Sequence, residues 1–518
     1  MTTTIPFRML AALVAGALIL PAPARAARWI VEKGGEFPTI QAAVDAAGPG
    51  DRILVRPGVY QENVIIPANK SGLRLKAVGA VVIEARAALG LGQGPGLWID
   101  CAGVTVEGFR IQNAAADPNP PYRDGHGIQT TREGLTLLSV HFRNNAAAAL
   151  MAPAGAGTTI QGGSSSGDAR PLEITGDNVV VREFEVDSPD QGGLLFSGNS
   201  ISVSKCRITN CDGPAIDLSG PSALIFGNQV TSCRGPGIKV TGSWAKIRKN
   251  TVRSARDDGV LVEGHDTICN DNRILHTASG AGVRLIGDDQ TARGNEVRHS
   301  AAAGLLVAGE NAGVHDNLVV GPSGGPGLQV VGDHPLITGN RVQDALDDQS
   351  GIQLQGVVTS GLLDGNRVEN VSNSGIVVAS DCFNLTLRNN VVVGAGNEAE
   401  AGYVIRGGSH LLFGNTARGN AGDGFNVLGE GIVLNGNLSV RNGRDGYDLE
   451  GGSEITVNEN RARKNGAEGV ENNAAGTVIT DNWSKQNRID FANDNLVTTF
   501  TGNASGDGSD DTTLPEID

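Results

Sequence analysis

An asparagine returns every 21 to 26 residues through more than half of this chain, at Asn228, Asn250, Asn272, Asn295, Asn317, Asn340, Asn366, Asn390, Asn415, Asn437, Asn460, Asn482 and Asn503. About ten residues after each comes a small residue and an apolar-x-apolar triplet, as in Gly237-Ile-Lys-Val, Gly259-Val-Leu-Val, Gly282-Val-Arg-Leu and Gly327-Leu-Gln-Val. A fixed period in this range builds a solenoid in which each repeat is one coil stacked on the next. The triplets alternate in and out with period two, so the coils are made of strands and not of helices.

The triplet row runs back from Gly237 through Ala215, Gly193, Pro171 and Ala149 to Gly127 in steps of 22. A 22-residue unit rich in Gly, Asn and Val with short apolar triplets resembles the right-handed parallel β-helix of the pectate-lyase type. That resemblance implies an all-β right-handed parallel β-helix, each coil carrying about three short strands. Inward Val, Ile and Leu stack into the core, and the Asn amide stacks on its copy in the next coil, ~4.8 Å away. The turns demand Gly and Asn because several of their positions need positive φ.

With 74 Gly and 4% aromatic residues, the composition fits a ladder of small turns and fits a core of bulky side chains poorly. The unbroken period predicts one domain over residues 27–505. Before it, Arg8, the apolar stretch Met9 to Leu20 and the end Ala24-Arg25-Ala26 predict a secretory leader over residues 1–26 and a secreted or periplasmic protein. Without that leader the chain keeps 39 basic against 56 acidic residues, a charge of −17. An acidic exported protein is a poor partner for nucleic acid. No second apolar segment is long enough to cross a bilayer, and a monomer is expected.

Thr39 as N-cap with Ile40, Ala43, Val44 and Ala47 on one face predicts a short amphipathic helix over 39–47 that closes the N-terminal end of the solenoid. Extra residues at about 114–126 and 153–170 predict protruding loops, and the acidic stretch 506–518 reads as a disordered tail. The tail's acids are too irregularly spaced for a Ca²⁺ loop. Of six cysteines, Cys211 and Cys233 stand 22 apart, one coil above the other, and are the pair expected to form a disulfide. No cysteine–histidine cluster has metal-binding spacing.

The middle residue of each triplet points outward. Along that row, charge concentrates between Glu173 and Arg284, including Asp217 and Lys239, with Glu263 in the next outward column and Arg256, Asp257, Asp258 and His276 in the turns. This pattern suits an acidic polysaccharide. β-Elimination at a uronic acid needs a base for the C5 proton, a role for Lys239 in its neutral form. It also needs a cation against the carboxylate, supplied by Arg284 or Arg256, or by Ca²⁺ on Asp257 and Asp258. C5 epimerisation shares the first step, whereas hydrolysis would use Asp217 with Asp257 or Asp258. The same charges also make an ordinary solvated surface, worth little when paired.

A second candidate is the loop with Tyr122, Arg123, Asp124 and His126, where Tyr122 and Arg123 would stack on or pair with a sugar acid and Asp124 with His126 would form an acid/base pair. Six coils separate it from Asp257, about 29 Å, so the two cannot cooperate.

Gly58-Val-Tyr60-Gln-Glu62 resembles the first motif of pectin methylesterases, whose other motifs are absent. Gly125-His-Gly and Asp257-Asp258 resemble polygalacturonase motifs but occur in reversed order, so neither family's residues carry over. The expectation is therefore an exported carbohydrate-active protein, a lyase or C5-epimerase on a uronate polysaccharide. The alternative is a non-catalytic accessory protein that binds glycans or another protein along the helix.

Overall fold

Three short strands and three tight turns make one coil. In the coil that carries Asn228 the strands are Ile216–Ser219, Leu224–Phe226 and Gln229–Cys233, and each pairs in parallel with its counterparts in the coils before and after it. The computed structural model describes residues 26–85, 94–115, 125–397, 399–494 and 499–506. The expected leader (all but its last residue), the tail beyond residue 506, and Tyr122, Arg123 and Asp124 lie outside the described residues.

The first strands of successive coils form a ladder of 19, running from Val64–Ile66 to Ile489–Asn493. The other 37 strands form two further ladders. These merge near the N-terminus, where single strands such as Arg74–Glu84 and Thr105–Gln112 run round the corner with a register shift between Lys76 and Val81. The fold is the expected all-β right-handed parallel β-helix, with about 22 residues per coil.

The only helix among the described residues is Ile40–Ala46, one residue shorter at each end than expected. Thr39 Oγ1 accepts the Ala42 N–H at 3.2 Å, and Ile40, Ala43 and Val44 are buried. The helix packs on the strands Arg28–Val31, Arg52–Val55 and Val64–Ile66 of the first coils. Glu62 accepts the N–H groups of Ile40 and Gln41 at 2.7 and 2.9 Å. Tyr60 donates its hydroxyl to the Arg56 carbonyl. In this chain the Gly58-Val-Tyr60-Gln-Glu62 string therefore ties the helix to the first coil.

The asparagine column occupies the corner between the second and third ladders. Asn317 is typical: its Oδ1 accepts the Asn295 N–H and the Asn295 Nδ2, both at 2.9 Å, and its own Nδ2 donates to Ala292 O and to Asn340 Oδ1 at 2.9 Å. The column runs unbroken from Asn228 to Asn503 and is buried over nearly all its length. The residue before each Asn turns left-handed, as at Lys249, Asp271, Asp316 and Gly339, with φ of 55°, 55°, 53° and 64°. At the next corner the small residue before the triplet has a different cause. A Cβ at Gly282 would collide with the Val297 side chain across the core. A column of stacked rings, Tyr403, Phe425 and Tyr447, fills the later coils at centroid distances of 4.5 and 5.0 Å.

All six cysteines are buried free thiols. This corrects the expected Cys211–Cys233 bridge: the two side chains do meet, but as a thiol–thiol hydrogen bond, which together with burial pushes the Cys211 thiol far up. Burial raises Cys101, Cys206 and Cys382 to about 11 and Cys269 to about 12.

Two outcomes follow. Asn317→Ala leaves a backbone N–H, a carboxamide N–H and a carbonyl unsatisfied in the core; at about 1–3 kcal/mol per unsatisfied group, it lowers the midpoint of urea unfolding more than any exposed Asn→Ala variant. A disulfide-exchange thiol reagent at pH 8 leaves the native protein essentially unlabelled, because all six thiols are buried and all but Cys233, which Cys211 pulls down, are pushed up, and it counts six thiols in denaturant. A count of four would show that the Cys211–Cys233 pair has oxidised.

Candidate functional site

The outward face of the first ladder is a ruler, because strand pairing places one side chain per coil in a straight column. From the N-terminal end the pairing aligns Trp98, Gln129, Met151, Glu173, Leu195, Asp217, Lys239, Leu261, Arg284, Leu306, Gln329, Gln353, Val377, Val404, Asn426, Asp448 and Glu471.

In the middle of this column Lys239 is flanked by Asp217 and Leu261. Asp217 and Lys239 are half-buried register partners and close no ion pair with each other. Two coils beyond Lys239, Arg284 Nε lies 3.1 Å from Asp258 Oδ2. Asp258 is 4% exposed, its Oδ1 accepts the Ala281 N–H at 2.7 Å, and burial raises its carboxyl against the pull of Arg284. Asp258 thus fixes the guanidinium. Arg256 and Asp257 are exposed at the adjoining turn. Because Asp258 is already taken up by Arg284 and a backbone N–H, it and Asp257 are not gathered as a cation cradle.

The remaining expected residues scatter. Glu173 pairs with Arg170 at 3.1 Å, and Glu263 accepts from Thr241 at 3.5 Å. His276 belongs to Arg273–Thr277 in the third ladder, where its ring stacks on His299 at 5.0 Å, so it does not share the Lys239 face. His126 is buried, and its Nδ1 accepts the Ala148 N–H at 3.0 Å. It serves the packing of its turn and is not displayed to solvent.

The strongest electrostatic feature lies nine coils beyond Lys239, about 43 Å along the axis. Three successive coils read Asp423-Gly-Phe-Asn426, Asp445-Gly-Tyr-Asp448 and Glu468-Gly-Val-Glu471. Asp423, Asp445 and Asp448 are 3%, 2% and 6% exposed. The carboxylate oxygens of Asp423, Asp445 and Asp448 lie within 4.8 Å of one another, as do those of Asp445, Glu468 and Glu471. Asn426 Nδ2 donates to Asp448 at 2.9 Å. Counter-charge is thin: Arg444 stands 4.0 Å from Asp423, and Arg488 stands 3.5 Å from Glu468. Burial, reinforced by neighbouring carboxylates, pushes Asp448 to about 7 and raises Asp445 and Asp423.

Carboxylates this crowded hold either protons or a cation at neutral pH. An all-oxygen donor set of carboxylates and an amide suits a hard divalent ion such as Ca²⁺. The sequence carries a sign of this cluster that the outward row alone does not display. The position before the glycine is acidic at Asp258, Asp423, Asp445 and Glu468, and only in the last two of these coils does the outward column add an acid, Asp448 and Glu471.

With fold and site in view, the chain belongs to the right handed beta helix region family, whose model matches residues 126–274 and 281–437, more than half of the chain. No curated protein matches it. Among solved structures it is similar to an alginate lyase from Paenibacillus sp. str. FPU-7, at 11% identity over 64% of this chain and 99% of that one, with a TM-score of 0.30. It is also similar to the PL6 family alginate lyase AlyGC, at 11% identity over 93% and 100% with a TM-score of 0.30. For the periplasmic alginate epimerase AlgG the figures are 12%, 87%, 78% and 0.25. Likenesses of this degree say nothing about substrate.

Adding Ca²⁺ raises the melting temperature of the wild-type protein. The double variant Asp445→Asn, Asp448→Asn loses that rise, and in chelator it is at least as stable as wild type because two crowded carboxyls are gone. Thermal melts with and without Ca²⁺ check both.

Proposed function

We propose that this protein is an exported carbohydrate-active β-helix that lays an acidic, uronate-containing polysaccharide along the outward face of the first ladder and acts on it as a lyase or C5-epimerase. The observation that carries the reading is the spacing in one column of Lys239 and Arg284, two coils apart, about 10 Å, with Arg284 held by the buried Asp258. A uronate whose carboxylate pairs with Arg284 has its C5–H presented toward the Lys239 side of the column.

Lys239 is the base that takes the C5 proton, and the charge that develops on the carboxylate is stabilised by the fixed guanidinium, which needs no reorganisation. In elimination, the C5–H electron pair forms the C4–C5 double bond, the C4–O bond breaks, and the leaving oxygen takes a proton. In epimerisation, Lys239 keeps the abstracted proton and a proton from solvent is delivered to the opposite face of C5. Asp217, one coil below Lys239, is placed to hold the ammonium that forms. Arg256, Asp257, Glu173 and Glu263 border the same face as substrate contacts.

A second reading, non-catalytic binding, draws on the acidic cluster. Ca²⁺ on Asp423, Asp445 and Asp448 would bridge to a polymer carboxylate far from Lys239 and act as an anchor without chemistry.

Incubated with a panel of uronate polysaccharides, the protein generates the ultraviolet absorbance of an unsaturated uronate, or exchanges C5 hydrogen with solvent if it epimerises. Lys239→Ala lowers either rate by at least about 10²-fold while polymer binding persists. Binding without elimination or exchange on any of these polymers, in wild type, leaves the anchor reading.

A further inference from the structure

On the second ladder, away from the Lys239 face, one turn breaks the rule its neighbours obey. The residue two before each strand of this ladder is left-handed in coil after coil: Asn178, Ser200, Ser222, Trp244, Asp266, Asp289 and Asn311 have φ between 54° and 61°. Asn, Asp and Ser suit that conformation, since their short polar side chains tolerate it and hydrogen-bond locally. A tryptophan does not suit it, yet Trp244 adopts φ 59° with 59% of its surface exposed. Its backbone N–H donates to His265 O like any other member of the column, so the local fold does not require a bulky ring there. The same position takes His334 and Glu454 farther along, with φ of 54° and 55°, so what sets Trp244 apart is an indole exposed beside a cleft.

The surroundings fit one kind of ligand. Ser222, Leu224, Trp244, Lys246, Asp266 and Ile268 line a cleft of about 440 Å³ beside the ring. Leu224, Lys246 and Ile268 are register partners in three successive coils, so the floor is rigid and carries an ammonium between two aliphatic side chains. Lys246 and Asp266 form no ion pair with each other or with any other described residue. Both are exposed beside the ring.

We propose that this cleft is a sugar subsite in which the apolar face of a pyranose ring stacks on Trp244, its hydroxyls meet Asp266 and Ser222, and a uronate carboxylate meets Lys246. The carboxylate contact rests on the acidic-polysaccharide reading above, whereas the stacking does not. The subsite binds and performs no chemistry. It holds the polymer by a face other than the one that carries Lys239.

The test uses the full-length protein with uronate oligosaccharides and neutral oligosaccharides of equal length, read by tryptophan fluorescence and by calorimetry. Uronate oligosaccharides shift the wild-type fluorescence. Trp244→Asn, which restores the residue type the turn prefers, removes that component and weakens binding at least tenfold while its melting temperature is equal to or higher than wild type. Lys246→Ala erases the preference for uronate over neutral sugar. Elimination of short substrates at the Lys239 face is unchanged in both variants, so loss of the subsite is distinguishable from failure of the catalytic reading. The proposal is overturned if Trp244→Asn binds uronate oligosaccharides as tightly as wild type. Neutral oligosaccharides that bind as well as uronates overturn the carboxylate contact at Lys246 and leave the stacking, and a variant that changes only the sedimentation of the protein overturns the subsite by making the ring a contact between copies.

Discussion

From Asn228 onward the stacking of coils depends on the amide of an asparagine repeating its hydrogen bonds at the spacing of two paired strands. A carboxamide has a double acceptor at one end and two donors at the other, so each Asn takes two bonds from the coil before it and gives one to a carbonyl behind and one to the amide ahead. No other side chain of that length satisfies both directions, and the buried corner has no water to make up a deficit. The column therefore holds successive coils in register along one edge, while the parallel ladders hold them along three faces. A second column works in the same way where the coils carry acid: Asn420, Asn442, Asn465 and Asn487 hand on their amides beneath Asp423, Asp445 and Glu468.

A lattice this regular turns sequence position into distance. Residues one repeat apart are about 4.8 Å apart, and outward residues on one ladder stay in line over the whole length. Function can therefore be spread along an axis instead of being gathered in a pocket. Lys239 and Arg284, the carboxylate cluster and Trp244 are separate stations on one rigid scaffold. Arg284 is the counter-case to the carboxylate cluster. Asp258 occupies the same place before the glycine as Asp423 and Asp445, but a guanidinium reaches it and neutralises it within the protein. Beside Asp423 and Asp445 the outward column one coil further on offers Asp448 and Glu471 in place of an arginine, and the counter-charge stays thin.

Much of this was legible in the residues. The period of the Asn, the in-out triplets and the outward column from Gln129 to Asp448 all follow from strand geometry that repeats without exception. What was not legible is whatever depends on the angle between ladders. His276 stands four residues before Gly280 in the chain and seemed to border the site, yet the corner turns its ring onto the third ladder, against His299. His126 looked like a displayed acid/base group, yet its turn folds inward. Cys211 and Cys233 have the spacing of stacked neighbours, which brings thiols together without deciding between a hydrogen bond and a covalent one. The acidic cluster was missed for a different reason. Its two columns come from different places in the coil, one in the turn and one in the strand, so reading a single column shows only half of the charge.

The chain carries a net −15 across its 518 residues, and that seems at odds with a polyanionic ligand until charge is placed by column. Electrostatic attraction over a distance beyond the screening length is weak at physiological salt, so what a bound polymer meets is the local column and not the total. Lys239 and Arg284 lie in a stretch of the outward row whose only acid is Asp217, and the acids that burden the C-terminal coils are concentrated where a divalent ion would offset most of their charge. An excess of acid is then no obstacle. A divalent ion on Asp423, Asp445 and Asp448 would cancel two of their three charges, and a polymer carboxylate could then join the same ion as a further oxygen ligand. The two stations therefore differ in how their charge is met: Asp258 is met by a guanidinium of the protein, whereas the C-terminal carboxylates have only Arg444 and Arg488 near them and would need protons or an ion.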